Sequence, residues 1–289
     1  MKEQYVESLF DKISYRYDIA NFFISFGLEK YWRKKFINYI NSNLNYILDA
    51  CCGTGISTLN ILNKLKKSKL ISEKLDLNKN INEKINKKTI NIKNKAFDDV
   101  VYIFGVDFSE QMLSIAKNRF TRFSKFNRTN DSKKQINNIN SNQIIFKKNN
   151  IEFKVQFKQG DVTNLNFPDN YFDLITIVFG IRNVLDRDKA LKEFFRIAKP
   201  GGKLIIMEFN YPQKILIRRV YDFYMSKILV NIGGFITKNK KAYIYLVNTI
   251  KNFPSINNFK NTIANAGWSD IKIEKLSFET CTIFSSIKK

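Results

Sequence analysis

A short segment that combines apolar, acidic and glycine residues is the first stretch of the chain that could do chemistry. Residues 47–55 read ILDACCGTG, so an apolar run gives way to Asp49 and then to Gly53-Thr54-Gly55. Glycine permits positive φ and lets backbone N–H groups approach a ligand without a Cβ between them. The segment predicts a strand followed by a ligand-binding loop, and a tight structural turn is the alternative with the same pattern.

Two more acids, Asp107 and Asp161, each follow an apolar run and extend this predicted site. The carboxyl ends of parallel strands meet at one edge of a sheet, where an acid after the second strand can accept hydrogen bonds from a ribose diol. That acid usually follows the glycines by about 20 residues. Asp107 follows Gly55 by 52 residues, or by 15 if residues 63–99 are a looped-out insertion. A helix N-cap or a surface position is the alternative for each acid.

Apolar runs and helical apolar spacing alternate along the rest of the chain. This alternation predicts an α/β protein with a doubly wound, mostly parallel sheet. The predicted parallel strands are 47–50, 100–107, 155–162, 171–180 and 203–209, followed by an antiparallel hairpin of 268–276 and 280–288. The predicted helices are 5–17, 31–40, 56–65, 110–120, 188–197, 259–266 and an aromatic stretch, 215–250, interrupted at Gly233-Gly234. We therefore expect a seven-stranded sheet in a single domain, residues 1–289, with an N-terminal helical cap at 1–44.

The charge of the chain is strongly positive, with 49 basic residues, 26 acidic residues and a formal net charge of +23. Residues 63–99 hold 11 lysines and 5 acids, and residues 121–150 hold 7 basic residues and 1 acid. Both stretches are rich in Asn and Lys and lack apolar periodicity, which is typical of solvated insertions. A dedicated RNA-binding surface and a face for an anionic membrane are the alternatives.

The composition also limits the chemistry and the compartment. The chain has no histidine, which is the most common general base at neutral pH, so proton transfer must use Asp, Glu, Tyr, Arg or water. Its three cysteines match neither a disulfide framework nor a zinc site and fit a reducing compartment. No apolar run approaches the roughly 20 residues of a membrane span, and no signal or transit segment is visible. A soluble protein is expected.

Together these motifs resemble the class I methyltransferases that depend on S-adenosylmethionine, and so imply a Rossmann-like fold. The glycine loop, Asp107, Asp161 and the Lys-Pro-Gly-Gly turn at 199–202 carry this similarity. More narrowly, the chain is similar to the quinone-biosynthesis C-methyltransferases, the ubiquinone/menaquinone methylase family. That resemblance rests on YD-x2-N-x3-S-x-G at 17–27 with Trp32, FGIRNV at 179–184, and R-x2-KPGG-x5-E at 196–208.

Four positions depart from the family pattern. Glu29 stands where the family usually has His, Ala20 where it has Met, and Asn210 where it has Ser. Cys51-Cys52 replaces the small residues that usually precede the first glycine. We interpret these departures as drift under a biased composition.

The resemblance implies S-adenosylmethionine as the cofactor. The implied binding residues are Asp49, Gly53, Thr54, Gly55, Asp107, Asp161, Val162 and Val178. The glycine loop would pass beneath the amino-acid portion, with Asp49 meeting the ammonium through water or the loop backbone. Asp107 would take the ribose hydroxyls, and Asp161 and Val162 would flank the adenine. Val178 would face the cofactor at the end of the fourth strand.

The resemblance also implies a polyprenyl hydroquinone as the methyl acceptor. A hydroquinone ring becomes a carbon nucleophile when its hydroxyl loses a proton, and a dry site strengthens the stabilisation of the phenolate. Arg182 and Asn183 would hold the phenolate or an activating water, because Arg itself stays protonated. A structural salt bridge is the alternative for this pair. Tyr17, Asp18 and Tyr221 would orient the ring.

The expected substrate is 2-methoxy-6-polyprenyl-1,4-benzoquinol of ubiquinone biosynthesis, with a demethylmenaquinol as the alternative. The aromatic segments 17–27 and 215–250 would form a channel for the polyprenyl tail, and basic surface would make peripheral contact with an anionic membrane. We also expect a homodimer or a quinone-biosynthesis complex. The expected location is the matrix face of the inner mitochondrial membrane, with the cytoplasm as the alternative.

Two rival functions are disfavoured by the sequence. An RNA methyltransferase would need polar clamps or a cysteine nucleophile, but no Asn/Asp-Pro-Pro-aromatic motif follows the fourth strand, so no nucleic-acid partner is expected. A methyltransferase-like subunit without chemistry would have lost cofactor residues, whereas the predicted ones are present.

Overall fold

The computed structural model describes residues 22, 25, 27–68, 99–126, 143–148, 151–231 and 240–289. Several predictions lie outside these ranges: the helix 5–17, the candidates Tyr17 and Asp18, the glycine pair at 233–234 and much of both insertions. The described residues contain the predicted doubly wound sheet.

Eight strands form one sheet in the order β3-β4-β2-β1-β5-β6-β8-β7. They are β1 (Tyr46–Ala50), β2 (Asp99–Asp107), β3 (Gln143–Lys148), β4 (Ile151–Gln159), β5 (Phe172–Val178), β6 (Ala198–Phe209), β7 (Ser269–Leu276) and β8 (Cys281–Ile287). The central strands β4, β2, β1, β5 and β6 are parallel, and β7 and β8 pair antiparallel at one end, as predicted. The strand order reverses between β1 and β5, and ligands of open α/β sheets bind at such a switch point.

The prediction of seven strands was wrong by one, because β3 lies inside the segment 121–150 that we expected to be an insertion. β3 pairs antiparallel with β4 and aligns Phe146 with Phe153. Phe146 is buried and its ring centroid lies 6.1 Å from that of Phe120. Three apolar residues among Asn and Lys give too little periodicity to predict a strand, whereas burial on the neighbouring helix stabilises it.

Seven α-helices lie within the described residues. They are α1 (Glu29–Ile37), α2 (56–68), α3 (Glu110–Phe126), α4 (Arg187–Ile197), α5 (Ile215–Phe223), α6 (Lys240–Lys251) and α7 (Ile256–Asn265). A π-helical turn, Tyr224–Leu229, continues α5. Because α2 and α3 run to residues 68 and 126, both insertions begin later than predicted.

The helices cover the sheet in two layers. One core cluster joins the sheet to α1, α2, α3, α5 and α6, and the other joins it to α4 and α7. Central strands are therefore buried on both faces, which explains near-continuous apolar runs such as Phe172–Val178. Among the described residues, no helix is long and apolar enough to cross a bilayer.

Trp32 ties α1 to the edge of the sheet where the parallel strands end. Its Nε1 donates a hydrogen bond to Ser277 Oγ at 2.8 Å, and its ring contacts those of Phe179 and Phe209 at centroid distances of 6.3 and 5.8 Å. Trp32 is almost fully buried. The described part of the predicted helical cap is thus packed beside the ends of β5 and β6.

Candidate active site

A cleft of about 530 Å³ opens at the carboxyl ends of β1, β2, β4 and β5. Its volume is in the usual range for small-molecule sites. Seven of the predicted site residues line it: Gly53, Thr54, Asp107, Asp161, Val162, Val178 and Asn183. Asp49, Gly55, Arg182 and Tyr221 do not line it, and the position of each is explained below.

The loop after β1 has positive φ at three alternate positions. Cys51, Gly53 and Gly55 have φ of 51°, 52° and 79°. A Cβ on Gly53 would meet no atom within 4 Å, so Gly53 presents open backbone to the cleft. A Cβ on Gly55 would lie 2.9 Å from Cβ of Ala116, so Gly55 lets α3 pack closely against the loop. The predicted roles of the two glycines therefore differ.

Asp107 holds this loop in place from the next strand. Its Oδ2 accepts a hydrogen bond from the backbone N–H of Gly53 at 2.8 Å, and its Oδ1 accepts one from Ser109 at 3.0 Å. The residue is only 5% exposed and lines the cleft. A carboxylate fixed at the end of the second strand is suited to accept hydrogen bonds from a diol.

Asp49 is fully buried behind the loop and does not line the cleft, so of its two predicted routes to the cofactor only the one through the loop backbone fits this position. Its carboxylate accepts hydrogen bonds from Thr58 at 2.6 Å and from Thr176 at 2.9 Å. Burial raises the pKa of Asp49 to about 6, while these hydrogen bonds oppose the rise. Asp49 therefore links β1 to α2 and β5 and acts on the cleft only through the loop.

Cys51 and Cys52 lie where the loop packs closely against two glycines. A Cβ at Gly180 would lie 2.4 Å from Cβ of Cys51, and a Cβ at Gly105 would lie 3.0 Å from Sγ of Cys52. Both cysteines therefore pack directly against glycines, and a side chain at Gly180 or Gly105 would collide with them. Burial, with the nearby Asp107 and Asp49, holds the pKa of both thiols well above the usual range, so neither is a ready nucleophile.

The segment after β4 forms the far wall of the cleft. Asp161 Oδ1 accepts a hydrogen bond from the backbone N–H of Thr163 at 2.8 Å, and Oδ2 accepts one from its hydroxyl at 2.6 Å. Val162 is buried beneath this turn. Phe108 and Met112 line the cleft as well, so the cleft offers apolar surface in addition to the Asp161 carboxylate.

The segment after β5 separates two residues that we expected to act together. The Arg182 side chain is buried in an ion pair with Glu208 at 2.7 Å, and it also donates a hydrogen bond to the carbonyl of Phe179. Asn183 instead lines the cleft, and its buried Oδ1 has no hydrogen-bond partner among the described residues. The contact with substrate predicted for Arg182 was wrong, and the structural salt bridge describes it.

Tyr221 lies beneath the surface of α5 rather than in the cleft. It is 4% exposed, and burial raises the pKa of its hydroxyl well above the usual range. The hydroxyl has no hydrogen-bond partner within the described part of the chain. Tyr221 does not line the cleft, so its predicted role of orienting the ring is not supported.

Sequence reasoning missed two basic residues of the cleft, Arg33 on α1 and Lys189 on α4. Arg33 pairs with Glu29 at 2.5 Å and donates a hydrogen bond to Ser57 at 2.6 Å. Arg33 directly follows Trp32, which is part of the family pattern. Its place beside that motif could have indicated that it belongs to the site. Glu29 stands where the family usually has His, and the structure assigns it to this ion pair.

The residues present fit S-adenosylmethionine. Gly53 offers open backbone, Asp107 offers carboxylate oxygens, and Phe108 and Met112 offer apolar surface for a ring. No group of three or more His, Cys, Asp or Glu side chains that could hold a metal occurs among the described residues.

Solved structures support the fold assignment. A SAM-dependent methyltransferase of Thermotoga maritima aligns with a TM-score of 0.55 at 17% identity, over 98% of this chain and 100% of that one. Phosphoethanolamine N-methyltransferase 2 of Haemonchus contortus aligns with a TM-score of 0.54 at 12% identity, over 98% of this chain and 60% of that one. Both alignments show that the chain has the fold of the class I methyltransferases.

The sequence comparisons narrow this class. The chain belongs to the ubiE/COQ5 methyltransferase family, whose sequence model matches residues 1–149 and 135–288. The family resemblance predicted from the motifs is therefore confirmed.

Three curated relatives illustrate the range of the family. A ubiquinone/menaquinone biosynthesis C-methyltransferase UbiE of Rickettsia bellii is 32% identical over 99% of this chain and 94% of its own length. A demethylmenaquinone methyltransferase of Bacteroides fragilis is 29% identical over 99% and 94%. A mitochondrial 2-methoxy-6-polyprenyl-1,4-benzoquinol methylase of Dictyostelium discoideum is 29% identical over 99% and 82%.

Proposed function

We propose that this protein transfers a methyl group from S-adenosylmethionine to a ring carbon of 2-methoxy-6-polyprenyl-1,4-benzoquinol in ubiquinone biosynthesis. Family membership and relatives named for quinone methylation support the coarser function, C-methylation in quinone biosynthesis. The Dictyostelium relative supports the benzoquinol substrate. The Bacteroides relative favours a demethylmenaquinol as a second candidate.

The observation that carries the proposal is the buried Oδ1 of Asn183, which has no hydrogen-bond partner in the described part of the chain. A buried polar atom without a partner costs about 1–3 kcal/mol, so a ligand that donates a hydrogen bond there would recover that cost. The hydroxyl of a hydroquinone is such a donor. Asn183 would hold that hydroxyl, so that the neighbouring ring carbon faces the cofactor.

The chain supports this contact by fixing the segment that carries Asn183. Glu208 accepts a hydrogen bond from the backbone N–H of Arg182 at 3.1 Å and pairs with its side chain at 2.7 Å. Phe179, with φ of 58°, is held by a hydrogen bond to the carbonyl of Met207 at 2.8 Å. Arg182 and Glu208 are therefore positioning residues, because they set the turn and do not touch the cleft.

Bound S-adenosylmethionine supplies an electrophilic methyl group and its own leaving group, so the protein has to bind, align and exclude water. Gly53 and Asp107 would hold the nucleoside and amino-acid portions, and Val178 would form an apolar wall beside them. The phenol proton would leave to water at the mouth of the cleft before the ring carbon takes the methyl group. The methylated carbon would then lose its own C–H proton to water while the oxygen regains a proton, which restores the aromatic quinol. Because Cys51 and Cys52 stay protonated, the expected transfer is direct, without a thiol adduct.

The remaining partners belong to the same proposal. The polyprenyl tail would keep the substrate in a membrane, and a net charge of +23 supports peripheral contact with anionic lipid. A homodimer or a quinone-biosynthesis complex is proposed on the family resemblance. The name of the Dictyostelium relative supports a mitochondrial location, and the bacterial relatives support the cytoplasm as the alternative.

The test is an assay of purified enzyme under reducing conditions with two short-tailed acceptors, a 2-methoxy-6-prenyl benzoquinol and a demethylated prenyl naphthoquinol. We expect a kcat/KM at least tenfold higher for the benzoquinol. A preference for the naphthoquinol would support the second candidate. Methylation of RNA without transfer to either quinol would contradict both.

A further inference from the structure

Helix α5 exposes a row of large apolar side chains to solvent. Ile215, Leu216, Val220 and Phe223 are 68%, 76%, 62% and 62% exposed. We call these four residues the α5 stripe. At 100° per residue they fall within an arc of about 140°, so they share one face of the helix. Single exposed apolar residues are common on protein surfaces, whereas a contiguous row marks an interaction site.

The opposite face of the same segment is packed into the protein. Tyr221 on α5 and Met225 on the following turn are buried in the core cluster that also contains Phe209 and Cys281. A helix at the surface of a soluble protein needs only one apolar face. The α5 stripe is therefore additional to what folding requires of this helix.

The charges around the α5 stripe are positive. Lys214, Arg219 and Lys227 are exposed, and Arg219 lies within the arc of the stripe. Asp222, an acid of this segment, forms an ion pair with Lys251 at 2.6 Å and accepts a hydrogen bond from the hydroxyl of Tyr211. An apolar face edged with basic residues fits the boundary of an anionic bilayer. A second copy of the chain would instead bring like charges together.

The α5 stripe also lies close to the edge of the sheet that carries the cleft. β6 ends at Phe209 and α5 begins at Ile215, so five residues connect them. The buried Tyr221 packs near Tyr211 in that connection, with ring centroids 6.3 Å apart. Docking through α5 would hold this edge near the lipid surface.

We propose that the α5 stripe docks the protein on an anionic lipid surface, with its apolar side chains at the acyl boundary and Lys214, Arg219 and Lys227 at the headgroups. This inference rests on the proposed function, because a polyprenyl quinol resides in the bilayer. It names the surface that meets the membrane, which net charge alone does not do.

The first experiment compares matched variants of the full chain by co-sedimentation with vesicles of phosphatidylcholine alone or with 30% anionic phospholipid. Leu216→Ser/Phe223→Ser removes apolar contact, and Lys214→Glu/Arg219→Glu reverses charge. Lys192→Glu/Lys260→Glu is the control, because it changes the net charge equally at exposed positions on α4 and α7, which pack with the other core cluster.

We expect wild type and the control to bind anionic vesicles within threefold of each other, and both α5 variants to bind at least tenfold more weakly. Equal binding by all variants, or equal loss in both charge variants, would overturn the proposal. Loss of a dimer in Leu216→Ser/Phe223→Ser, measured by light scattering without lipid, would assign the stripe to a second copy instead.

The second experiment reports on the helix directly. Trp32 and Trp268 are both buried, so a tryptophan placed at position 223 gives a distinct signal. Phe223→Trp emission should shift to the blue with anionic vesicles and be quenched by brominated acyl chains, whereas Lys260→Trp should do neither. If the emission spectrum of Phe223→Trp did not change when anionic vesicles were added, docking by this face would be contradicted.

Failure of this proposal is separable from failure of the proposed function. Leu216→Ser/Phe223→Ser should retain wild-type turnover of a water-soluble, short-tailed quinol in the absence of lipid. Methyl transfer without vesicle binding would refute the docking surface alone. Vesicle binding without methyl transfer would leave the docking surface intact and refute the function.

Discussion

The two halves of the cleft are built in different ways. The proposed cofactor half, at the ends of β1, β2 and β4, consists mainly of backbone and short acids, with Gly53 held by Asp107 at 2.8 Å. The proposed acceptor half, after β5, depends on Glu208, which reaches from β6 to hold Arg182 at 2.7 Å and so presents Asn183. The first half is defined by local sequence, whereas the second requires contacts between distant parts of the chain.

The largest effect is expected from breaking the buried ion pair of the acceptor half. Glu208→Gln leaves the Arg182 guanidinium buried without a countercharge, which should lower the free energy of unfolding by about 3–5 kcal/mol. Urea denaturation would measure it. Asp169→Asn is the control, since the pair of Asp169 with Arg196 is exposed and should be worth at most about 1 kcal/mol. Similar losses of unfolding free energy in both variants would show that the buried ion pair contributes no more to stability than the exposed one.

Removing the side chain that faces the acceptor should damage turnover next. Asn183→Leu keeps a branched side chain but deletes the hydrogen-bond acceptor that orients the ring, and should reduce kcat by about a hundredfold while the cofactor Kd changes less than threefold. Steady-state kinetics and calorimetric titration with S-adenosylhomocysteine would separate the two. A variant with full kcat would show that Asn183 does not contact the acceptor.

The cofactor half should respond in the opposite way. Asp107→Ala removes the acceptor for Gly53 N–H as well as the proposed ribose contact, so cofactor affinity should fall by about thirty- to a hundredfold. Calorimetry would measure the Kd. The control is Asp186→Ala, which changes a carboxylate that caps α4 on the same cleft. If both variants lost affinity equally, the nucleoside assignment of Asp107 would fail.

The last prediction is a change in the pH dependence of stability. Burial raises the pKa of Asp49 from 3.8 to about 6, so the folded state holds the proton more tightly than the unfolded state. The contribution of this group to stability is therefore present below about pH 4 and is lost as pH rises through about 6, by on the order of 3 kcal/mol. Asp49→Asn should flatten this part of the stability profile. If the free energy of unfolding of wild type and of Asp49→Asn changed with pH in the same way, the raised pKa of Asp49 would be contradicted.

The sequence predicted most of the residues that line the proposed cofactor half because they lie in short segments at strand ends. The turn 51–55 and the acids Asp107 and Asp161 were assigned from strand ends and glycine spacing, and all contribute to the cleft wall except Gly55, which packs against Ala116. Asp49 was expected to act through water or the loop backbone, but the pattern could not show that its carboxylate turns toward Thr58 and Thr176.

The acceptor half was predicted less accurately because its contacts are distant in sequence. Arg182 and Asn183 are adjacent, yet one turns into the core and the other into the cleft, and only the pairing with Glu208, 26 residues away, decides this. The strand β3 was missed for a similar reason. Its weak apolar pattern becomes a strand only when β4 and α3 cover it.

The most direct test of the proposed C-methylation uses S-adenosylmethionine labelled with ¹³C in its methyl group and a short-tailed 2-methoxy-6-prenyl benzoquinol, with NMR of the purified product. We expect one labelled methyl signal from a methyl group on a ring carbon, formed about a hundredfold more slowly by Asn183→Leu under matched conditions. A labelled signal from a methoxy group, or label found only in RNA, would contradict it.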